Sequence, residues 1–538
     1  MQKHDFDFIV IGSGFGGSVS AMRLAEKGYR VAVLEEGKRW KNSDFPPTNW
    51  HLRKFLWLPT FLCHGFFRMT LLKDIFILGG SGVGGGSLVY ANTLLIPPDK
   101  TWDHSGWAHL SDWKSEMPAF YETAKRMLGA TPTPFETRAD RLVKAYAETI
   151  GQGDSYSPTT VGVFFGKPGE EGKRVSDPYF DGEGPDRAGC TRCGGCMVGC
   201  QLNAKNTLDK NYLFFAEKHG AEVIPELRAT NIQSIGDGGS GGYEVTVETS
   251  TSLFSKRRRT ITAKGVIVSA GVLGTHTLLD SSRSTGGLAQ LSPRLGDFVR
   301  TNNESILGVQ GSIKDDYTDG IAITSQIDLD EHTHMEPVRY PKGSNALFMF
   351  STLLTDGGGK VPRIFKWLAT IVRHPIHFML SMRPWKWARR SVILLVMQTL
   401  DSHIKLRRKR RWFWPFRRGI TSVNENRQRI PTYIPAGNKA ARWIAKEIGG
   451  IPMSTVTEVT MDIPMTAHIL GGCAMGENAE MGVIDTNNQV WGYQNLFVID
   501  GSMIGANLGV NPSLTITALA ERAMSKIPTK TSVSEDSA

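Results

Sequence analysis

The sequence has little of several features that would have placed it in another class of protein. Its longest apolar windows, Phe55–Leu62 and Ser391–Leu400, are far shorter than the roughly 20 residues that a membrane-spanning helix needs. The N-terminus passes from charged residues straight into a strand pattern, without the apolar core and cleavage site of a secretory signal. Low-complexity segments and internal repeats are also missing. We therefore expect a cytoplasmic protein that is not integral to a membrane.

Cysteine is scarce, with six residues in the chain, and this excludes a disulfide scaffold. Four of the six crowd into one short segment, at Cys190, Cys193, Cys196 and Cys200. Their C-x2-C-x2-C-x3-C spacing is that of bacterial ferredoxins, although Gln201 stands where that pattern has proline. The spacing predicts either an iron–sulfur cluster, with Cys200 or Cys473 as the fourth ligand, or a tight loop with reduced thiols or a structural ion.

Acidic residues are nearly absent from segment 360–418, which contains sixteen Lys or Arg and, as its one acid, Asp401. The whole chain has a net charge of +10, so the remainder is slightly acidic. Tryptophan and phenylalanine are interleaved with these cations, at Trp367, Trp385, Trp387, Trp412, Phe413, Trp414 and Phe416. The run Lys405–Arg411 followed by WFWPF predicts a hairpin with a basic turn and an aromatic tip.

Tryptophan at headgroup depth and cations beside anionic lipid are the two ingredients of interfacial binding. The basic aromatic segment therefore indicates contact with an anionic membrane surface, which would place the protein peripherally at the inner membrane. The alternative is an exposed hairpin that faces water. No nucleic-acid-binding module is recognised, and we expect no nucleic acid partner.

The remaining composition is that of a folded α/β protein, with 40% hydrophobic residues and 58 glycines. A chain of 538 residues is too long for one simple core, and two packed domains are expected.

A glycine fingerprint follows the first predicted strand, 8–11. Gly12 permits the tight turn, Gly14 lets backbone amides approach a pyrophosphate, and Gly17 lets helix and strand pack closely. A second strand ends at Glu35, which is spaced to accept a hydrogen bond from a ribose hydroxyl. Strand, turn, helix, strand and acid together predict a dinucleotide site.

Two further glycine turns extend this prediction. The block from Gly79 to Asn92 has many positions without side chains, including Gly84 and Gly85 near Ser87, which suit backbone packed against a flat ring system. It favours a flavin over a nicotinamide; the alternative is a glycine-rich helix start beneath another strand. The segment 264–279 is again strand, turn and helix, and places Ala270 and Gly271 beneath the same dinucleotide.

The C-terminal part supplies candidate catalytic groups. A neutral imidazole at His468 can accept the hydroxyl proton when an alcohol loses a hydride. Asn511 has an amide that cannot ionise and can fix the hydroxyl oxygen, and the helix expected after Pro512 would favour negative charge on a reduced flavin. The alternative for His468 is a buried structural histidine.

Taken together, the motifs resemble those of the glucose–methanol–choline (GMC) oxidoreductases, within them the actinobacterial cholesterol-oxidase-like branch. The likeness runs from end to end, through the N-terminal fingerprint, LRKFLW, GVGGGSLV, AKNTLDKNYL, EPVRY, HILGGCAMG and LGVNPSLTITALAER. It implies bound FAD, hydride transfer from an alcohol carbon to flavin N5, and His468 with Asn511 over the flavin. It also implies that Asp500 and Gly501 lie near the ribityl and pyrophosphate groups.

The sequence departs from the family at two places. Tyr90 replaces the usual asparagine after the second glycine block, and Asn92 follows two residues later. Cholesterol oxidases that also isomerise the double bond use a substrate-domain glutamate. The matching stretch from Ser344 contains no acid, and Glu336 is the nearest one, so isomerase activity is not expected.

The resemblance and the motif positions predict a discontinuous Rossmann-like FAD-binding domain and a substrate domain with a mainly antiparallel sheet covered by helices. We expect the FAD-binding domain to comprise 1–100, 186–303 and 457–525, the substrate domain 101–185 and 304–456, and a flexible tail to follow at 526–538.

The first functional hypothesis is FAD-dependent oxidation of a 3β-hydroxysteroid such as cholesterol to the 3-ketone. The second is a flavin dehydrogenase of a sugar or other alcohol that passes electrons through a cysteine-bound cluster to an acceptor. The third is a lipid-surface flavoprotein with a binding role.

Overall fold

The structure is a computed structural model that describes residues 4–252, 256–411, 414–424 and 430–531. The helices of this part of the chain are α1 (Phe15–Glu26), α2 (Leu52–Phe55), α3 (Trp113–Leu128), α4 (Arg138–Thr149), α5 (Tyr212–Lys218), α6 (Gly271–Ser284), α7 (Arg363–Arg373), α8 (Pro375–Ser381), α9 (Trp387–Arg390), α10 (Pro435–Ile448), α11 (Val456–Thr460) and α12 (Ser513–Ser525).

The strands of the described residues run from the N-terminus in the order β1 (Phe6–Ile11), β2 (Val31–Leu34), β3 (Trp57–Leu58), β4 (Cys63–His64), β5 (Phe67–Leu71), β6 (Phe76–Gly80), β7 (Ala130–Pro132), β8 (Ser157–Pro158), β9 (Thr160–Gly162), β10 (Arg174–Val175), β11 (Arg187–Ala188), β12 (Glu222–Ile224), β13 (Leu227–Ile235), β14 (Gly242–Thr249) and β15 (Arg258–Val268). They continue with β16 (Ser305–Gln310), β17 (Ser325–Asp330), β18 (Thr333–Val338), β19 (Ser351–Leu353), β20 (Ser391–Gln398), β21 (Lys405–Arg411), β22 (Trp414–Val423), β23 (Ile451–Thr455), β24 (Met465–Thr466) and β25 (Leu496–Val498).

The first large sheet carries the predicted dinucleotide-binding strands. Its order is β12-β2-β1-β15-β14-β13, with β25 also paired to β15. The pairs among β12, β2, β1, β15 and β25 are parallel, and β13 and β14 are antiparallel additions. The central parallel strands β1, β2 and β25 are buried almost throughout, as expected for strands covered on both faces. The predicted Rossmann-like half of the fold is confirmed.

The second large sheet is antiparallel throughout and has the order β19-β23-β16-β20-β18-β17-β8. Helices α4 and α10 pack on it, and their buried side chains share one core with those of the strands. Gly437 of α10 allows this close packing, because a Cβ there would lie 2.9 Å from Val396 and 3.0 Å from Leu307. The predicted antiparallel sheet covered by helices is confirmed.

The two ends of the chain meet in the first domain. Helices α1 and α12 pack against each other, and a Cβ at Gly16 would lie 1.8 Å from the carbonyl oxygen of Ile499. Helix α3, although it lies in segment 101–185, packs against α12, whereas α4 of the same segment packs on the second sheet. The domain boundaries therefore stay a prediction, with α3 as a helix shared with the dinucleotide-binding side.

The C-terminal end differs from the flexible tail predicted for 526–538. The ammonium group of Lys530 donates to Asp7 at 2.7 Å, and the backbone N–H of Lys530 donates to the carbonyl of Lys27 at 3.0 Å. These bonds attach the chain to the first strand as far as Lys530, and residues 532–538 lie outside the described residues.

The predicted basic hairpin is present as the antiparallel pair of β21 and β22. Cations at its base form ion pairs with the first domain: Arg407 with Asp297, and Arg408 with Asp280 at 3.9 Å. The positive charge nearest the base of the hairpin is therefore neutralised by acidic residues of the first domain. The predicted aromatic tip, with Trp412 and Phe413, lies outside the described residues, as do the side chains of Trp414 and Phe416.

Candidate active site

The glycine turns form a cradle at the carboxyl ends of the parallel strands. Ideal Cβ atoms at Gly14 and Gly271 would meet nothing within 4 Å, so both turns border open space. Gly12 lies against the Ser269 carbonyl, where a Cβ would approach to 2.2 Å. A Cβ at Gly17 would lie 2.0 Å from the Gly12 carbonyl oxygen. The start of α1 at Gly14 thus borders open space with backbone N–H groups, which suits a pyrophosphate, whereas the Gly271 amide at the start of α6 donates to Asp500.

The second glycine block packs onto the first. Gly84 and Gly85 adopt left-handed backbone angles, with φ of 103° and 52°, and a Cβ at Gly85 would lie 2.6 Å from Gly14. The Ser87 hydroxyl donates to the Gly84 carbonyl at 2.7 Å and holds this turn. The prediction that the two blocks surround one ligand agrees with this packing.

Asn92 gives a direct test of whether a polar ligand fits beside the second block. It is fully buried, and neither amide atom has a hydrogen-bond partner among the described residues. Buried amides are normally satisfied. The neighbouring residue, Ala91, lines the cavity described below. An unpaired amide beside a cleft walled by glycines fits the polar edge of a bound ring system.

Glu35 is held by hydrogen bonds from both glycine blocks. One carboxylate oxygen accepts from the Ser13 amide at 3.1 Å and the Ser13 hydroxyl at 2.7 Å, and the other accepts from the amides of Gly37 at 2.9 Å and Gly82 at 3.1 Å. Glu35 thus ties the two glycine blocks together, and its contact with a ribose hydroxyl stays a prediction.

Asp500 ties the C-terminal block to the same cradle. Its Oδ2 accepts from the Gly271 amide at 2.9 Å, beside the Ala270 N-cap of α6, and its Oδ1 accepts from the Ser502 amide at 2.8 Å. Burial raises the pKa of Asp500, and these bonds lower it in part. Gly501 follows directly and begins a short turn of 3-10 helix. Asp500 and Gly501 thus lie beside the start of α6, and their contact with the ribityl and pyrophosphate groups stays a prediction.

A cavity of about 310 Å³ lies between the cradle and the second sheet. Phe15 and Gly86 from the cradle, Ile306 and Leu395 from the sheet, and His468 from the C-terminal block all contribute to its wall. Among the residues that the structure describes, no Asp, Glu, Lys or Arg lines it. The cavity is therefore apolar and gives an uncharged substrate access to the imidazole.

His468 is held by Glu304, a residue that the sequence analysis did not identify. Nδ1 of His468 contacts a carboxylate oxygen of Glu304, and the other oxygen accepts from the Ala467 amide at 2.7 Å. Burial lowers the pKa of His468, but the Glu304 carboxylate outweighs it, so the pKa lies above its usual value. Nδ1 therefore carries a proton in the neutral ring, which leaves Nε2 as the acceptor.

Asn511 is oriented by a second buried carboxylate. Its Nδ2 donates to Glu336 at 3.3 Å, while its Oδ1 is buried and has no partner among the described residues. Since an ionised carboxylate only accepts, the amide must direct its nitrogen toward Glu336. Asn511 lines the cavity, and its oxygen is the group available to a substrate hydroxyl.

The catalytic pair predicted from the sequence, His468 and Asn511, is brought to one cavity. Their partners, Glu304 and Glu336, are 164 and 175 residues away in the chain. Glu304 was not predicted from the sequence, and Glu336 was considered only as the acid nearest the isomerase position, not as a partner of Asn511. Each lies at or in an apolar strand, within TNNESILG and HMEPV. An acid in a buried strand was the one signal that could have identified them.

The cysteine segment does not form the predicted metal site. No three His, Cys, Asp or Glu side chains of the described residues are arranged as metal ligands, and all four thiols belong to that part. Cys190 and Cys196 are buried whereas Cys193 is exposed. The Sγ of Cys200 instead accepts from the Ala204 amide at 3.4 Å. The reading as a tight loop with free thiols agrees with this geometry.

Comparisons with known proteins agree with the cradle and the cavity. Models of the GMC oxidoreductase family match residues 184–296 and 434–520, and a model of NAD(P)-binding Rossmann-like domains matches residues 10–40. The chain is 50% identical to a cholesterol oxidase of Acinetobacter baumannii, over 99% of this chain and 96% of that protein. It is 47% identical to a cholesterol oxidase of Mycobacterium tuberculosis, over 98% and 92%.

Among solved structures, the pyridoxine 4-oxidase from Mesorbium loti matches with a TM-score of 0.62 and 14% identity, covering 97% of this chain and 98% of that chain. A fungal aryl-alcohol oxidase matches with a TM-score of 0.58 and 14% identity, over 97% and 99%. At such low identity these likenesses show the fold alone. From the relatives, the cradle and the cavity together, the chain belongs to the GMC oxidoreductase family and is an FAD-dependent oxidoreductase acting on CH–OH donors.

Proposed function

We propose that this protein oxidises the hydroxyl group of a 3β-hydroxysteroid such as cholesterol to the 3-ketone. The observation that supports this most strongly is the cavity of about 310 Å³, whose described lining has no charged residue apart from the titratable His468. A sugar would leave many hydroxyl groups unpaired there, which costs free energy for each one. A large apolar alcohol that has one hydroxyl would leave no other hydroxyl group unpaired in this cavity. The relatives named above are cholesterol oxidases.

The chemistry at His468 follows from its partner. Glu304 holds the Nδ1 proton, so that Nε2 can accept the proton of the substrate hydroxyl. The imidazolium formed by this transfer is stabilised by the same carboxylate. Asn511 accepts a hydrogen bond from the hydroxyl through Oδ1 and so positions it. The amide does not compete for the proton. FAD, when bound, supplies the acceptor for the hydride from the alcohol carbon.

The cofactor contacts rest on groups already described. We propose that the amide of Gly14, at the start of α1, holds the pyrophosphate. Asn92 would pair with a polar edge of the ring system. Pro512 and the start of α12 line the same cavity, so the positive end of that helix would favour an anionic reduced cofactor.

The proposal is tested by mixing the purified holoenzyme with alcohols under anaerobic conditions. Cholesterol is expected to bleach the visible absorption of the bound cofactor, because its single hydroxyl can reach His468. Glucose is expected to cause no bleaching, because the described lining gives its other hydroxyl groups few polar partners. Bleaching by glucose with none by cholesterol would contradict the steroid assignment, and no bleaching with any alcohol would favour a purely binding role.

An external electron acceptor completes the proposal, because the cysteine segment offers no ligand set for an electron-transfer centre within the described residues. Turnover measured with O2 and with a redox dye would separate an oxidase from a dehydrogenase. Stoichiometric hydrogen peroxide identifies the oxidase. Isomerisation is not included, since no described acid lines the cavity and Glu336 lies behind Asn511.

We also propose that the enzyme takes its substrate from an anionic membrane surface, as a peripheral protein at the inner membrane. No helix of the described residues is long and apolar enough to cross a bilayer. Helices α7 and α8 instead carry an exposed apolar patch, with Val372 and Phe365 exposed by 79% and 60%. We define the patch by its exposed large apolar residues: Val361, Phe365, Leu368, Val372, Ile376, Met379, Met382 and Trp385.

Charge and position support a lipid surface as the occupant of the apolar patch. Lys360, Arg373, Arg383 and Lys386 flank it, and none forms an ion pair with a described acid, so that they are available to anionic headgroups. The patch also adjoins the cavity: Trp367 of α7 donates to Thr352 at 2.8 Å, and the neighbouring Ser351 lines the cavity wall. A sterol leaving the bilayer would therefore enter beside the patch.

Replacing Val372 and Phe365 together by aspartate is expected to abolish sedimentation of the enzyme with phosphatidylserine vesicles. Two carboxylates in the patch remove its apolar contact and repel the anionic surface. Met481→Asp, at an exposed methionine outside the patch, is the matched control and should bind as the wild type does. Equal binding of the double variant would contradict the membrane proposal, and a concentration-dependent dimer that the variant loses would assign the patch to a second copy instead.

A further inference from the structure

Behind Asn511 the second sheet carries a row of titratable side chains that the proposed chemistry does not use. His334 and Glu336 are two residues apart on β18 and therefore point to the same face of the sheet. Asp328 on β17 is the register partner of His334, directly across the strand pair. The alternation of the strand and the pairing of the two strands thus place three charged groups in one line.

The row is continuous from the cavity wall to the surface. Asn511 donates to Oε2 of Glu336 at 3.3 Å, and Oε1 of Glu336 lies 3.4 Å from Nε2 of His334. Nδ1 of His334 lies 3.1 Å from a carboxylate oxygen of Asp328. The side chain of Glu336 has no exposure, that of His334 has 10%, and that of Asp328 has 59%.

The two carboxylates determine the charge of His334. A ring with a carboxylate at each nitrogen can satisfy both contacts only by donating from both, which requires the imidazolium. Burial lowers the pKa of His334, but Asp328 and Glu336 outweigh it and raise the pKa to about 9. At neutral pH the buried carboxylate of Glu336 therefore has a positively charged hydrogen-bond donor beside it.

We propose that His334 is a positioning residue: its imidazolium donates to Oε1 of Glu336 and so fixes the carboxylate whose Oε2 accepts from the Asn511 amide, with the Asn511 oxygen free for the substrate hydroxyl. Asp328 holds the second nitrogen of His334 and links the row to solvent. A neutral His334 ring cannot donate to both carboxylates, and Glu336 and the Asn511 amide would then lose their fixed orientation. The inference rests on the proposed role of Asn511 at the hydroxyl group.

A pH dependence follows from this arrangement. Asp328 and Glu336 are the charged groups that face His334; β20 presents Met397 opposite it, and Asn511 contributes an uncharged amide. Because the folded pKa is raised, the stabilisation is complete below about 6.5, the ordinary histidine value, and is lost as pH rises through about 9. The kcat/KM for the alcohol is expected to fall over the same upper range.

The experiment measures the pH profile of kcat/KM of the holoenzyme for its alcohol substrate, between about pH 6 and 10. His334→Gln is expected to lower kcat/KM at neutral pH by about 10-fold and to remove the alkaline fall near pH 9. Asp328→Asn, at a half-exposed side chain that tolerates substitution, should move that fall down by about one pH unit. His332→Gln, an exposed histidine outside the row, is the matched control and should leave the profile unchanged.

Two further measurements separate this inference from a merely structural role and from the substrate assignment. The double variant His334→Gln, Glu336→Gln should lose less activity than the product of the two single losses, because His334 acts on Asn511 only through Glu336. In the wild type, the His334 ring should titrate near pH 9 by NMR whichever alcohol is the substrate. An alkaline fall that persists in His334→Gln, or two losses that multiply in the double variant, would overturn the proposal; failure of cholesterol alone would overturn only the substrate.

Discussion

His468→Gln is expected to lower kcat/KM for the alcohol by about 10²- to 10⁴-fold, the usual contribution of a positioned general base. Glutamine retains a polar side chain of similar reach but cannot accept the hydroxyl proton at neutral pH. The loss should appear in the rate of anaerobic cofactor bleaching, which reports the step in which the alcohol is oxidised. Cofactor content should stay near that of the wild type, because the cradle is formed by other residues.

Two controls make this result specific. His219→Gln removes an exposed imidazole at the end of α5, far from the cavity lining, and should retain full activity. Cofactor absorbance per protein shows whether the His468 variant still binds FAD. A His468 variant that is loaded with cofactor and bleaches within 10-fold of the wild-type rate would refute the assignment of His468 as the base.

Glu304→Gln has the second largest expected effect, a fall in kcat/KM of about 10²- to 10⁴-fold. The wild-type carboxylate accepts from Nδ1 and so presents Nε2 to the substrate. The amide of a glutamine can donate to Nδ1 instead, which stabilises the other tautomer and places a hydrogen on Nε2. The variant would keep the histidine in the cavity but with the wrong nitrogen available.

The pH profile distinguishes this role from a general loss of structure. Activity requires neutral His468, so wild-type kcat/KM should rise as pH increases through the raised pKa of that ring. Removing the Glu304 charge lowers that pKa, and the acid limb should move to lower pH. Glu458→Gln is the matched control. The buried carboxylate of Glu458 accepts at 3.2 Å from Ser305, the residue that follows Glu304. An unmoved acid limb in Glu304→Gln would contradict the pairing.

Local sequence signals predicted much of the candidate site because they depend on few neighbours. Gly12 and Gly85 need backbone angles or close approaches that other residues do not tolerate, so they mark their turns in any context. The antiparallel pairing of β21 with β22 was also predictable, since its strands are adjacent in the chain. Asn511 was placed correctly at the cavity because it directly precedes a helix start that faces the cleft.

Spacing along the chain did not determine which groups meet. Glu35 has the spacing of a ribose-binding acid, and only the structure shows that the second glycine block also engages it, through the Gly82 amide. The cysteines have a ferredoxin spacing, but hydrogen bonds to distant backbone hold their loop. The backbone N–H of Gly194, for example, donates to the carbonyl of Gly320 at 2.7 Å. Spacing specifies which groups could converge, and the direction of each side chain depends on distant backbone.

The sequence by itself determined the cofactor cradle, the candidate catalytic histidine and asparagine, and the family, because each depends on short motifs with strict local geometry. Only the tertiary structure decided the charge and orientation of those candidate groups. Glu304 meets His468, and Glu336 meets Asn511, across sequence separations of 164 and 175 residues. A buried carboxylate changes the chemistry of a group only within contact distance, and that distance is set by how the two sheets pack.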